Sequence, residues 1–256
     1  MNITKKVNIK RITKELQEDT LDIIIEEVSL ELFVNYEFYA ALMCTPIELN
    51  ELAVGFLFSE GVISSMSSIV SIEEKYENRV CIILDHEITV DHNSAKAITS
   101  GCGKGSIHVI SLEACSIKSI ESTCKYAIVD ILKLMGEFNS KSDLFKQTGG
   151  VHSCCICSDN NILLFSEDIG RHNALDKVVG KALINNVDLK DKLIMTTGRI
   201  SSDIVVKAAK ASIPIIVSHS APTSLALSIA KAANITIIGF ARGIRMNIYC
   251  SGHRII

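Results

Sequence analysis

The sequence predicts an α/β fold with a smaller, strand-rich α+β part at the N-terminus, and three observations carry that expectation. From Gly149 onward, short apolar runs alternate with helical patterns across polar turns, which is the pattern of an α/β layer with mainly parallel strands. The first hundred or so residues instead hold β-branched runs separated by polar turns. Mean hydropathy is +0.31, yet no run reaches the roughly 18 uninterrupted apolar residues of a membrane span, so the apolar residues belong to a large buried core.

Along the N-terminal part, Leu21 to Ile25, Leu30 to Val34 and Val80 to Leu84 are expected strands. Between them, the segment from Thr45 to Gly61 predicts a helix, with Thr45 as N-cap, Pro46 at the first helical position, an acidic first turn and Gly61 past the end. From Leu112 to Gly136 the apolar residues Ile117, Ile120, Cys124, Ile128, Ile131 and Leu132 fall near a 3.6-residue period, predicting a bridging helix. Strands are then expected at Ile162 to Phe165, Leu193 to Thr196, Pro214 to Val217 and Ile235 to Ile238. Helices should follow the first three, to about Asn185, Ala211 and Ala233. A chain of 256 residues can fill two modest domains. They are expected at residues 1–106 and 107–256.

Composition narrows the function. Lys and Arg total 26 against 29 Asp and Glu, a net charge of −3, so bulk electrostatics give no case for a nucleic-acid binder and any anion site must be local. Tryptophan is absent and aromatics make up 5%, which weakens a stacking platform for single strands or sugars. Nine cysteines, an odd number, follow an opening that lacks the apolar stretch of a secretory signal, so the expected compartment is the reducing cytoplasm, with no membrane partner.

Two regions carry chemistry. In Ser100-Gly101-Cys102-Gly103-Lys104-Gly105, glycines leave a cysteine uncovered and free to move, while Lys104 favours its thiolate. Cys102 is therefore a candidate exposed nucleophile. Separately, the strand-to-helix joints Glu167 to Asn173, Thr196 to Asp203 and Ser218 to Thr223 are rich in small polar and basic residues. In a parallel sheet such joints gather at the carboxyl edge, where helix N-termini favour phosphate. Arg171, His172, Arg199 and Ser220 are the candidates there, with Ser201 and Ser220 as helix-start donors. Phe240-Ala241-Arg242-Gly243-Ile244-Arg245 adds two arginines that could fork a phosphate or a guanine edge. Glu167 and Asp168, adjacent and so on opposite strand faces, are expected to orient Arg171 or His172.

His152 with Cys154, Cys155 and Cys157 has the wrong spacing for zinc, so these cysteines, like Cys44, Cys81, Cys115, Cys124 and Cys250, are expected as buried apolar filler and no metal ligand is assigned.

Taken together, Ser100-Gly101-Cys102-Gly103, Thr148 to His152, Glu167 to Lys177, Gly239 to Gly243 and Asn247 to Tyr249 resemble the formate dehydrogenase accessory sulfurtransferase (FdhD) family, most tightly from Thr148 to Tyr249. The resemblance implies a cytidine-deaminase-like C-terminal α/β domain and a homodimer. It implies a sulfur carrier that takes persulfide sulfur from a cysteine desulfurase on Cys102. That sulfur would pass to a molybdenum or tungsten bis(molybdopterin guanine dinucleotide) cofactor, bound through Phe240 to Arg245, before the cofactor enters formate dehydrogenase. Many members of the family carry Cys-x-x-Cys at the loop, whereas Gly105 stands at the second position here. A single thiolate still suffices to relay a persulfide. The zinc signature of the deaminases is missing. The competing readings are a chaperone that delivers the cofactor without transferring sulfur, and a thiol-dependent nucleotide hydrolase.

Overall fold

The computed structural model describes residues 2–76, 78–88, 96–98 and 118–256. Thr4–Ile12 (β1) and Gln17–Ile25 (β2) form a two-stranded antiparallel ribbon. Val28–Val34 (β3), Glu37–Cys44 (β4), Ile69–Tyr76 (β5), Arg79–Leu84 (β6) and Lys96–Ile98 (β7) form a second sheet in the order β5-β6-β3-β4-β7. Its apolar face packs on helix α1 (Leu49–Glu60) through Leu30, Leu32, Leu42, Leu52 and Leu57.

The third sheet holds the C-terminal part. It consists of His152–Ser158 (β8), Asn161–Asp168 (β9), Leu193–Thr196 (β10), Ile215–Ser218 (β11), Thr236–Arg242 (β12) and Arg245–Cys250 (β13), in the order β13-β12-β11-β10-β8-β9. Helices α4 (Arg171–Ile184), α5 (Ser202–Lys210) and α6 (Ser224–Ala232) connect β9, β10, β11 and β12 in turn, and α2 (Ile128–Lys141) with α3 (Asp143–Thr148) precede β8. Because each crossover steps the same way along the sheet, right-handed connection puts α4, α5 and α6 on one face. Alternation along the strands confirms the layering: Ile194 and Ile216 join the core that includes Val178, Ile204 and Ile229, whereas Met195 and Val217 face Leu134 and Phe138 of α2.

Several expectations need correction. Strands β9 to β12 do run in one direction, but β8 is inserted antiparallel between β9 and β10, and β13 closes the edge antiparallel to β12. The sheet is therefore mixed, with parallel pairing at β10–β11 and β11–β12. The cause is local: Asp159 (φ 48°) and Asn160 (φ 64°) make a two-residue hairpin turn with both centres left-handed, folding β8 back along β9. The bridging helix begins only at Ile128. Residues 118–125 form no helix or strand and are tied by Ile120 N–H to Ala233 O and by Arg254 guanidinium bonds to the Ile120 and Asn234 carbonyls. Ser122 Oγ accepts from Cys124 N–H, a local bond that competes with helical bonding, and donates in turn to Asp191. Residues 112–117 of the expected helix lie outside the described residues.

The helix over α1 ends at Gly61 as expected, in the left-handed region at φ 80°. Its N-cap is Glu48 rather than Thr45, since Thr45 turns inward to a buried polar cluster. Ser220 likewise is not a helix start: Thr223 caps α6, accepting from Ala226 N–H, and Ser201 caps α5.

Candidate functional site

The carboxyl ends of β9 to β12 converge as the sequence predicts, and a run of contacts links them. Ser218 Oγ donates to Gly198 O at 2.6 Å, and His219 N–H donates to Thr196 O at 3.1 Å. Arg242 Nε donates to His219 O at 3.0 Å, and Phe240 N–H to Ser220 O at 3.1 Å. Arg199, Ser220 and the Phe240–Arg245 hairpin therefore share one sheet edge, and Gly198 against Arg171 and Ser201 against His172 bring the start of α4 to it.

Glycines set the closeness of this edge. A Cβ on Gly198 would lie 2.8 Å from Arg171 Cβ and 3.0 Å from its Cδ, so the arginine stem lies flat on the glycine. A Cβ on Gly239 would lie 3.0 Å from Ser220 O, which holds β12 against the loop after β11. Phe240 sits at φ 52°, a left-handed conformation rare for a non-glycine residue and typical of strained binding sites. Past it the β12–β13 register shifts, so that Arg242 and Arg245 become cross-strand partners beside Gly243 at φ 55°. Two like charges placed opposite one another repel and favour an anion between them. Ala241 is fully buried, whereas Arg242, Gly243, Ile244 and Arg245 are exposed.

Two imidazoles line the same edge. His172, the second residue of α4, is buried, with Nε2 3.3 Å from Ser201 Oγ and 3.7 Å from Asp203 Oδ2. Ser201 makes no side-chain bond to its own helix, and its hydroxyl faces the histidine instead. Burial first, then Lys207, Arg171 and His152, push His172 down to about 3, so the Asp203 contact is no ion pair at neutral pH. His152 opens β8, with Nδ1 3.2 Å from Thr197 Oγ1; burial, Arg171 and Arg199 hold it below the ordinary imidazole value against the pull of Asp168. Sequence reasoning considered His152 only as a metal ligand. The signal that could have found it is Gly149-Gly150 before a strand, which starts β8 where its neighbours end.

Much of the polar block from Glu167 to Lys177 is structural. Asp168 Oδ2 accepts from Thr45 N–H at 3.0 Å, from Thr45 Oγ1 at 2.9 Å and from Lys177 Nζ at 2.6 Å, and the Asp168 and Lys177 side chains are both fully buried. Asp168 Oδ1 accepts from Gly170 N–H and Asn173 Nδ2. The Glu167 carboxylate accepts from Ser142 and Ser153. The Asp168 carboxylate thus anchors the start of α4, and with it the turn bearing Arg171 and His172, to Thr45 at the end of β4, whereas the Glu167 carboxylate reaches Ser142 and Ser153. Of the two carboxylates expected to orient Arg171 or His172, Asp168 holds the turn that bears them, through Thr45, Gly170, Asn173 and Lys177.

Among the described residues no group of His, Cys, Asp and Glu has the geometry of a metal site. Cys154, Cys155 and Cys157 are fully buried in β8, Cys44, Cys81 and Cys250 are buried, and Cys124 is half-buried. Burial pushes the Cys44 thiol up to about 12. Cys102, Lys104 and Cys115 lie outside the described residues.

The FdhD/NarQ family model matches residues 25–256. The chain belongs to the FdhD/NarQ family. The sulfur carrier protein FdhD of Bacillus subtilis is 40% identical over 238 residues, covering 91% of this chain and 90% of its own. The sulfur carrier protein FdhD of Listeria innocua is 36% identical over 260 residues, covering 100% of both. A crystal structure described as a formate dehydrogenase accessory protein from Desulfotalea psychrophila superposes with a TM-score of 0.84 at 26% identity, covering 100% of both chains. The match thus covers the five-stranded and six-stranded sheets and the carboxyl edge of the latter. No helix among the described residues is long and apolar enough to cross a membrane.

Proposed function

We propose that this chain is a sulfur carrier for formate dehydrogenase, taking persulfide sulfur from a cysteine desulfurase on Cys102. It delivers that sulfur to a molybdenum or tungsten bis(molybdopterin guanine dinucleotide) cofactor held on the carboxyl edge of the six-stranded sheet. The observation that supports this most is the linked edge itself: Arg171 laid on Gly198, Arg242 bonded to His219 O and paired in register with Arg245, in a chain of the FdhD/NarQ family. Such an edge suits a pyrophosphate and a guanine, and its half-exposed Phe240 gives an aromatic face beside them. Residues 1–106 carry the thiol loop and residues 107–256 the cofactor site, the latter of cytidine-deaminase-like class. The protein works in the cytoplasm, as a homodimer.

In the first step Cys102 thiolate attacks the outer sulfur of the donor persulfide. A new S–S bond forms on Cys102 as the donor S–S bond breaks, and the donor cysteine leaves as thiolate. Lys104 favours the attacking anion. Delivery of the outer sulfur as sulfide takes two electrons from a thiol-class reductant or the reduced metal, and returns Cys102 to its thiol.

The test is intact mass spectrometry after incubation with a cysteine desulfurase and cysteine. Wild type should gain the mass of a sulfur atom, reversed by reductant and absent in Cys102→Ala. No gain in wild type would favour delivery of the cofactor without sulfur transfer, and a gain surviving in the variant would move the active sulfur elsewhere.

A further inference from the structure

We propose that His152 and His172 together take up a proton when a dinucleotide pyrophosphate settles on the carboxyl edge, so that occupancy of the site is proton-linked. This rests on the reading of that edge as a dinucleotide site and adds a device that the reading does not require.

The geometry comes from the inserted strand. Because β8 runs against β9 and β10, it begins where they end, and so brings His152 to the edge beside the first turn of α4 that carries His172. The groups facing the pair come from every surrounding element. Arg171 and Asp168 flank His152 from the β9–α4 joint, and Thr197 and Arg199 from the loop after β10. Ser201, Asp203 and Lys207 face His172 from α5 and its cap, and Arg171 and His152 act on it from its own side.

In the empty site, burial and these cations hold both rings below the ordinary imidazole value. A pyrophosphate brings negative charge among the same cations. An opposite charge within a few ångströms raises an imidazole by roughly 1–3 pKa units. Linkage then requires that whatever raises proton affinity be bound more tightly as pH falls. A cation cluster made only of arginines would carry its full repulsion when empty. Two imidazoles supply positive charge only while the ligand is present.

The test titrates the full chain with P1,P2-diguanosine pyrophosphate, whose phosphates stay ionised across the neutral range, by calorimetry in MES and in bis-Tris, which differ in heat of ionisation. Wild type should bind roughly tenfold more tightly at about pH 6 than at about pH 8. Its heats should differ between the buffers by the uptake of up to about one proton. His152→Gln/His172→Gln should bind more weakly, with heats independent of buffer. His152→Gln alone should lose most of the uptake and His172→Gln a smaller part, since His172 starts from about 3, which keeps the test open if the double variant does not fold. Wild-type binding with no buffer dependence, or uptake that persists in the double variant, overturns the proton linkage alone. No binding by wild type at any pH overturns both this inference and the dinucleotide-site reading.

Discussion

Gly55 of α1 and Gly180 of α4 meet backbone to backbone. A Cβ on Gly55 would fall 1.8 Å from Asp176 O, and one on Gly180 would fall 1.9 Å from Glu51 O. The N-terminal sheet's helix is therefore pressed onto the helix that begins with Arg171 and His172. No side-chain adjustment can relieve such a clash, because the atoms it strikes are main chain.

Gly180→Ala should force the helices apart and cost about 1–3 kcal/mol or more, outweighing the gain in helix propensity. For a chain of this size that is a fall in Tm of roughly 2–10 °C. Gly136 in α2 is the control: nothing lies within 4 Å of its added Cβ, so Gly136→Ala should stabilise by about 0.5–1 kcal/mol. Thermal unfolding of the two variants side by side checks the pair. Equal shifts would show that the helix crossing is not as close as the glycines indicate.

The buried Asp168–Lys177 pair gives a second expectation. Lys177→Met leaves a fully buried carboxylate without its cation and should cost about 3–5 kcal/mol in denaturant unfolding. Removing both charges with Asp168→Leu/Lys177→Met should not restore stability, as it does for simple buried pairs, because Thr45, Gly170 and Asn173 would lose their shared acceptor. Recovery to within about 1 kcal/mol of wild type would show that Asp168 serves Lys177 alone.

What was legible in the sequence was local. The ends of α4, α5 and α6 are capped at Asn185, Ala211 and Ala233, as periodicity suggested, because each helix has an apolar face that ends where its polar turn begins. The convergence of Arg171, Arg199 and Arg242 followed from the common direction of the strands they follow. What stayed hidden was long-range pairing. Thr45 looks like a helix cap until Asp168, 123 residues away, takes its hydroxyl hydrogen bond. The insertion of β8 between β9 and β10 cannot be read from alternation, because a hairpin strand placed between two crossover strands leaves their own pattern unchanged. His152 was missed with it, since only that insertion brings it to the site.

Gly198→Ala tests how Arg171 is placed. The added methyl would meet the arginine at its Cβ and Cδ, the rigid part of the stem rather than its mobile end, so the guanidinium must be re-aimed. Losing a charged hydrogen bond of about 1.5–3 kcal/mol should weaken P1,P2-diguanosine pyrophosphate roughly ten- to a hundredfold. The fold should change little, since the glycine's added methyl is met by a side chain and not by the backbone. Calorimetry beside thermal unfolding separates the two effects. Unchanged affinity would remove Arg171 from the site.

His172 also predicts the shape of the acid limb of stability. Its ordinary value of 6.5 falls to about 3 in the folded chain, so above about pH 6.5 the ring is neutral in both states and contributes no slope. As pH falls from 6.5 toward 3, the unfolded chain binds a proton that the folded chain refuses, and stability drops by up to about 1.4 kcal/mol per pH unit. Asp176 and Glu167 act in the opposite sense. Burial raises both carboxyls, so the folded chain takes their protons first and gains stability as pH falls through those raised values. Wild type alone therefore reports a sum, and the informative quantity is its difference from His172→Gln. Denaturant unfolding at several pH values should show the variant losing stability less steeply than wild type below about pH 6.5, whatever constant offset the lost Ser201 contact adds. Parallel curves for the two proteins would mean that His172 is charged in the folded chain and is not held neutral by burial and its neighbouring cations.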